Sequence, residues 1–95
     1  MRVKAKRDAN EAAIVEALEA CGVAVLRVSS PGAPDLLLFD DAARLRWLGR
    51  QHQYLPVEIK AVKGRLTDAQ QVWRASCAFP VVRSVDDALA LVKRA

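Results

Sequence analysis

Ninety-five residues carry 15 Lys and Arg against 11 Asp and Glu, a formal charge of +4, and 53% of the chain is apolar. That is one small domain, residues 1–95, with too much apolar content for a disordered chain. No apolar run approaches the ~20 residues that cross a membrane, Leu36 to Phe39 being a strand-sized piece, and no apolar stretch of secretory-signal length follows the basic N-terminus.

In chain order, Asp8 is placed to cap a helix over Asn10 to Cys21, with Glu11 in its first turn. Ile14, Val15, Leu18 and Cys21 fall at helical spacing, and Gly22 is the expected stop. Val23 to Val28 is rich in β-branched residues and predicts a strand. Ser29 to Pro34 holds two prolines and a glycine and predicts a turn, with a second strand over Asp35 to Phe39. Residues 40–55 are the hardest to read: Leu45, Trp47 and Leu48 fit a short strand or a helical turn, and Gly49 to Gln53 a connection. Pro56 to Val62 predicts a third strand, and Lys63-Gly64-Arg65 a tight turn. Thr67 caps a helix to about Ala78, with Ala69, Val72, Trp73, Ser76 and Cys77 on one stripe. Pro80 to Arg83 predicts a fourth strand, and Ser84 caps a last helix to about Arg94. The order α-β-β-β-α-β-α makes an α/β fold, a mixed sheet flanked by helices.

Cys21 and Cys77 sit at apolar helical positions without CxxC or Cys/His spacing, so they read as small core residues in a reducing compartment and not as a zinc site. Cations cluster at Arg2, Lys4, Lys6 and Arg7, at Arg44, Arg46 and Arg50, and at Lys60, Lys63 and Arg65. Such clusters attract a polyanion or are ordinary solvated surface, and charge alone does not separate the two.

More informative are polar residues at positions reserved for core. Glu11 precedes Ile14, Val15 and Leu18 by three, four and seven residues, so it lies on their stripe, although a first-turn carboxylate also suits the helix dipole. Asp35 opens a purely apolar strand. In Val57-Glu58-Ile59-Lys60-Ala61, alternation sends Glu58 and Lys60 together to one face, which is either an exposed edge or a site. Together, three carboxylates and a lysine suit a hard divalent cation such as Mg²⁺, which takes oxygen ligands and keeps several waters. The ion would polarise a phosphodiester and acidify a bound water, with Lys60 stabilising developing charge or positioning that water. Gln70 could hydrogen-bond the lysine, the water or a phosphate, or complete a capping box with Thr67.

Pro34-Asp35 followed by Glu58-Ile59-Lys60 resembles the PD-(D/E)xK nuclease motif. The Glu11 helix, Pro31-Gly32-Ala33-Pro34-Asp35-Leu36, and the downstream Lys63-Gly64-Arg65-Leu66-Thr67-Asp68-Ala69-Gln70 with Trp73 look like the VRR-NUC branch (virus-type replication and repair nucleases). Val81-Val82-Arg83-Ser84 resembles the closing strand of that branch, which is similar in fold to Holliday junction resolvases; the likeness covers about residues 8–92. It implies a restriction-endonuclease-like sheet. Asp35 and Glu58 would be metal ligands with the Ile59 backbone carbonyl, Glu11 a further carboxylate, Lys60 the catalytic lysine and Gln70 an additional catalytic-motif residue. The 22 residues between Asp35 and Glu58 exceed a tight hairpin, so residues 40–55, with Arg44, Arg46, Arg50 and His52, are read as an elaboration that contacts DNA, His52 itself being plain surface.

The resulting expectation is a Mg²⁺- or Mn²⁺-dependent DNA endonuclease acting on duplex or branched DNA in repair. Lys4, Lys6, Arg7, Arg44, Arg46, Arg50, Lys63 and Arg65 would hold backbone phosphates. A homodimer, no membrane association, and the cytoplasm of a bacterium or phage-infected cell complete it. The alternatives are a catalytically silent nuclease-fold module that binds nucleic acid, and a small scaffold that does not.

Overall fold

A computed structural model of the chain describes residues 10–30, 32–61, 65–76 and 79–92. Asp8 as a cap, and Cys77, lie outside the described residues. The elements are α1 (Glu11–Ala20), β1 (Ala24–Arg27), β2 (Leu36–Phe39), β3 (Leu45–Trp47), β4 (Arg50–His52), β5 (Tyr54–Ile59), α2 (Asp68–Ser76), β6 (Val81–Val82) and α3 (Val85–Leu89). The fold is mixed α/β, as expected, but the order carries two more strands than the sequence implied.

Four strands form one sheet in the order β1-β2-β5-β6. β1, β2 and β5 are antiparallel neighbours, and β6 joins β5 in parallel after the excursion through α2. Register sets the two faces. Val25 opposes Leu38, Leu38 opposes Leu55 and Leu36 opposes Val57, so these side chains share the face that packs on helices. Ile14, Val15 and Leu18 of α1 join Leu36, Leu38, Leu55, Val57 and Ile59 in the core, with Ala88, Leu91 and Val92 from the C-terminal segment. Residues of the other parity, Asp35, Leu37 and Phe39 on the β2 side and Tyr54, Pro56, Glu58 and Lys60 on the β5 side, face the opposite way.

Helix α1 ends as its sequence demands. Gly22 takes φ +87°, its N–H donates to Glu19 O, and Val23 N–H reaches back to Leu18 O, the paired bonds of a Schellman cap with Val23 and Leu18 both buried. At the other end Asn10 occupies the cap position but makes no cap bond; its Nδ2 donates instead to Arg83 O at 2.9 Å and Lys60 O at 3.4 Å, joining α1 to the ends of β5 and β6.

Residues 40–55 are not a helical turn or a plain connection. β3 and β4 form a second, two-stranded sheet, with Leu45 opposite His52 and Trp47 opposite Arg50. Leu48 and Gly49 have φ of +53° and +74°, positive at both central positions as the two-residue hairpin turn requires. Asn or Asp is the usual first residue of that turn, and an exposed leucine there hides the signal. Two helices also depart from expectation. α3 stops at Leu89 because the chain beyond it bonds the hairpin: Val92 bridges Leu45, and Arg46 N–H donates to Leu91 O. On α2 two members of the expected apolar stripe, Ala69 and Val72, are exposed, while Gln70 is buried; the side chains of Trp73, Ser76 and Cys77 lie outside the described residues. Among the described residues no helix is long and apolar enough to cross a membrane.

Candidate active site

The strand alternation read from Val57-Glu58-Ile59-Lys60 places Glu58 on the non-core face, yet only 1% of it is exposed. Asp35 explains part of that cover. It stands just before β2, and its Oδ2 accepts the Ile59 N–H at 2.9 Å, which holds its carboxyl beside Glu58. Gln70 supplies more. Its Oε1 accepts Thr67 N–H at 2.9 Å while its own N–H donates to Thr67 Oγ1 at 3.2 Å, a complete capping box. The remaining amide hydrogens point to Glu58, with Nε2 to Oε2 at 2.6 Å. The expected capping box is therefore present, and the same side chain reaches Glu58 rather than the lysine. Lys60 Nζ lies 3.7 Å from the same Glu58 Oε2.

Electrostatically the centre is unbalanced. Burial, then the charge and hydrogen-bonding demand of Asp35, push the Glu58 carboxyl from 4.5 up to about 7, while Lys60 and Gln70 pull the other way. Gln70 and Lys60 both address Oε2, and Oε1 is buried with no hydrogen-bond partner among the described residues. A buried acceptor left unpaired costs about 1–3 kcal/mol, so this arrangement is one that a cation relieves. The donor set fits a hard divalent ion: two carboxylates and a backbone carbonyl, since in a strand the Ile59 carbonyl shares the edge of its N–H, which Asp35 already meets.

Glu11 is not part of this set. It is buried on α1, whose side chains pack on the core face, and it accepts from Arg27 Nε at 3.0 Å. Arg27 opposes Leu36 in register and so shares that face, whereas Asp35 and Glu58 point to the other. Among the described residues no three His, Cys, Asp or Glu side chains are gathered to hold a metal ion, and Glu11, expected as a further carboxylate, is found paired with Arg27. Arg27 was legible in the sequence: two residues after Val25, it had to share the inward face.

Comparison of the chain with protein-family models, with curated proteins and with solved structures finds no match.

The basic residues divide. Arg46 and Arg50 are exposed on the hairpin, and Arg65 is exposed shortly before α2. The hairpin joins the Phe39 end of β2 to the Tyr54 end of β5, so its arginines sit at the opposite end of the sheet from Asp35 and Glu58. Arg44 is engaged inside the protein instead: Nε and Nη2 donate to the two carboxylate oxygens of Asp40 at 3.0 and 2.9 Å, and Nη2 also to Cys21 O at 2.8 Å. Its expected role at a phosphate gives way to fixing the hairpin's base. His52 Nε2 meets Trp47 O at 3.3 Å across the hairpin. Lys4, Lys6, Arg7 and Lys63, and the side chain of Trp73, lie outside the described residues.

Proposed function

We propose that the chain is a Mg²⁺- or Mn²⁺-dependent deoxyribonuclease of the VRR-NUC branch, with a restriction-endonuclease-like sheet, cutting duplex or branched DNA endonucleolytically. The observation that carries the reading is the buried Glu58 whose Oε1 has no partner among the described residues, set against Asp35 with Lys60 and Gln70 on its other oxygen. Asp35, Glu58 and the Ile59 carbonyl are the groups that would hold the ion. When bound, it supplies Lewis acidity to the phosphodiester and lowers the pKa of a coordinated water.

The chain's own residues do the rest. The Ile59 N–H fixes Asp35, and Gln70 fixes Glu58, so neither carboxylate has to reorganise as charge develops. Lys60 places its ammonium beside the carboxylates, where it offsets negative charge growing on the phosphoryl oxygens. Hydrolysis adds water across one P–O bond and leaves a phosphate monoester and a hydroxyl. Arg46, Arg50 and Arg65, with Lys4, Lys6, Arg7 and Lys63, hold backbone phosphates without reading sequence. A homodimer in the cytoplasm, with a second copy widening the grip on DNA, belongs to the same proposal.

The test is cleavage of supercoiled plasmid and synthetic junctions in Mg²⁺, Mn²⁺ or EDTA, beside Asp35→Ala and Lys60→Ala. Metal-dependent cutting abolished by both substitutions is expected, and cutting that survives either removes the assigned site. Tight binding without cleavage makes the chain a silent nucleic-acid-binding module.

A further inference from the structure

The face that presents Asp35 and Glu58 continues along both strands as an uncharged surface. Register sets Leu26 beside Leu37, Leu37 beside Pro56, and Phe39 beside Tyr54. Leu26 is 61% and Tyr54 58% exposed, although each lies in the middle or at the end of a paired strand. Phe39 and Tyr54 stack at 4.8 Å between ring centroids with a tilt of 43°, which holds the tyrosine ring while leaving much of it open.

Size decides what this surface takes. Three strands about 4.8 Å apart and five residues at about 3.3 Å each outline a patch of at most a few hundred Å². A stable dimer needs about 800 Å² from each partner, and a second copy seated here would also cover the carboxylate pair. One or two flat nucleobases fit. Charge agrees: the hairpin that carries exposed Arg46 and Arg50 lies beyond the Tyr54 end and Lys60 stands beside Glu58, so cations are present at both ends of the uncharged strip. Four residues of β5 separate Tyr54 from Glu58, about 13 Å, a span of a few nucleotides at about 3.4 Å each.

We propose that this sheet face is a stacking platform for unpaired nucleobases, with Tyr54 as the principal contact, on which a single-stranded segment lies as it runs toward Asp35 and Glu58. The direction of the strand rests on the nuclease reading; the stacking itself is measured without cleavage. The experiment titrates full-length protein in EDTA against a fluorescein-labelled single strand of about 15 nucleotides, an abasic strand of the same length, and a blunt duplex. Wild type binds the single strand more tightly than the abasic one. Tyr54→Ala loses roughly 5- to 100-fold on the single strand and changes by no more than about twofold on the abasic strand, while Tyr54→Phe stays close to wild type. Equal affinity of wild type for single and abasic strands overturns the proposal. So does an equal loss on both ligands in Tyr54→Ala, the mark of a folding or charge effect. Conversion of a dimer to a monomer by Tyr54→Ala in sedimentation also overturns it, making the face a contact between copies. A protein that cuts plasmid in Mg²⁺ but shows no base dependence in EDTA fails this inference alone; base-dependent binding without cutting upholds it and fails the nuclease reading.

Discussion

Asp40 and Glu58 are both buried carboxylates, 3% and 1% exposed, and the sequence offers little to tell them apart. Their surroundings are opposite. Asp40 is saturated: Arg44 donates its backbone N–H at 2.6 Å, its Nε and its Nη2, and those hydrogen bonds hold the Asp40 carboxyl below its ordinary value. Glu58 has one oxygen shared by an amide and a more distant ammonium, one oxygen with no partner among the described residues, and a neighbouring carboxylate that raises its pKa. The first is a buried charge that the fold completes by itself. The second is one the fold leaves for something else to complete, and burial alone does not distinguish them.

The largest expected effect tests that contrast through activity. Asp35→Ala removes one of two carboxylates and should lower plasmid cleavage by about 10²–10³-fold, whereas Asp40→Ala should leave the rate per folded molecule near wild type. Matched losses in the two variants would erase the distinction. Stability in EDTA tests it next. Because the folded Glu58 carboxyl binds its proton more tightly than the unfolded one, its contribution is fully present below pH 4.5 and lost as pH rises through about 7. Wild type should therefore lose, relative to Glu58→Gln, of the order of 3 kcal/mol between acid and mildly alkaline pH, read from urea midpoints. Mg²⁺ should recover part of that loss in wild type and none in Glu58→Gln. Asp40 has the opposite sign: its contribution is present above its unfolded pKa and is lost as pH falls through the lowered folded one.

Smaller effects sharpen the comparison. Asp40→Ala strands the Arg44 N–H and should cost about 1–2 kcal/mol in urea unfolding at neutral pH. Gln70 separates its two duties by substitution. Gln70→Ala should cost about 1 kcal/mol through the lost cap bond to Thr67, while Gln70→Glu keeps an acceptor for that bond but sets a third carboxylate against Glu58. The second variant should remain folded and lose cleavage, a split that circular dichroism and the plasmid assay read together.

The core and the main strands were legible because their signals are local. Alternation in Val57 to Lys60 and the Gly22 stop depend on a few adjacent residues, and the structure keeps both, with Val57 and Ile59 inward and Gly22 at positive φ. What was not legible needed partners far away in sequence. Arg44 looked like a phosphate ligand in a basic cluster until Asp40 and the Cys21 carbonyl were found around it. Glu11 shared a stripe with core residues, but which sheet face that stripe met depended on packing. Gln70 was read as a cap for Thr67 or a partner of the lysine, the water or a phosphate; its bond to Glu58 is one that no periodicity predicts. The candidate centre was found as a list of residue types, and the pairing of Asp35 with Glu58 and of Glu11 with Arg27 belongs to the topology.

One consequence follows from the way β5 interleaves its two duties. Val57 and Ile59 build the interior from the same six-residue strand that displays Glu58, with Lys60 one step beyond it. Deleting or inserting a single residue there exchanges the two sets, turning the acid and the lysine into the core and the aliphatics outward. No compensating slip restores one set without losing the other. The β3–β4 hairpin faces no such constraint, because its length changes neither parity nor register in β2 and β5. Among engineered or natural length variants of this chain, insertions should accumulate between residues 46 and 51, while residues 55–60 tolerate none.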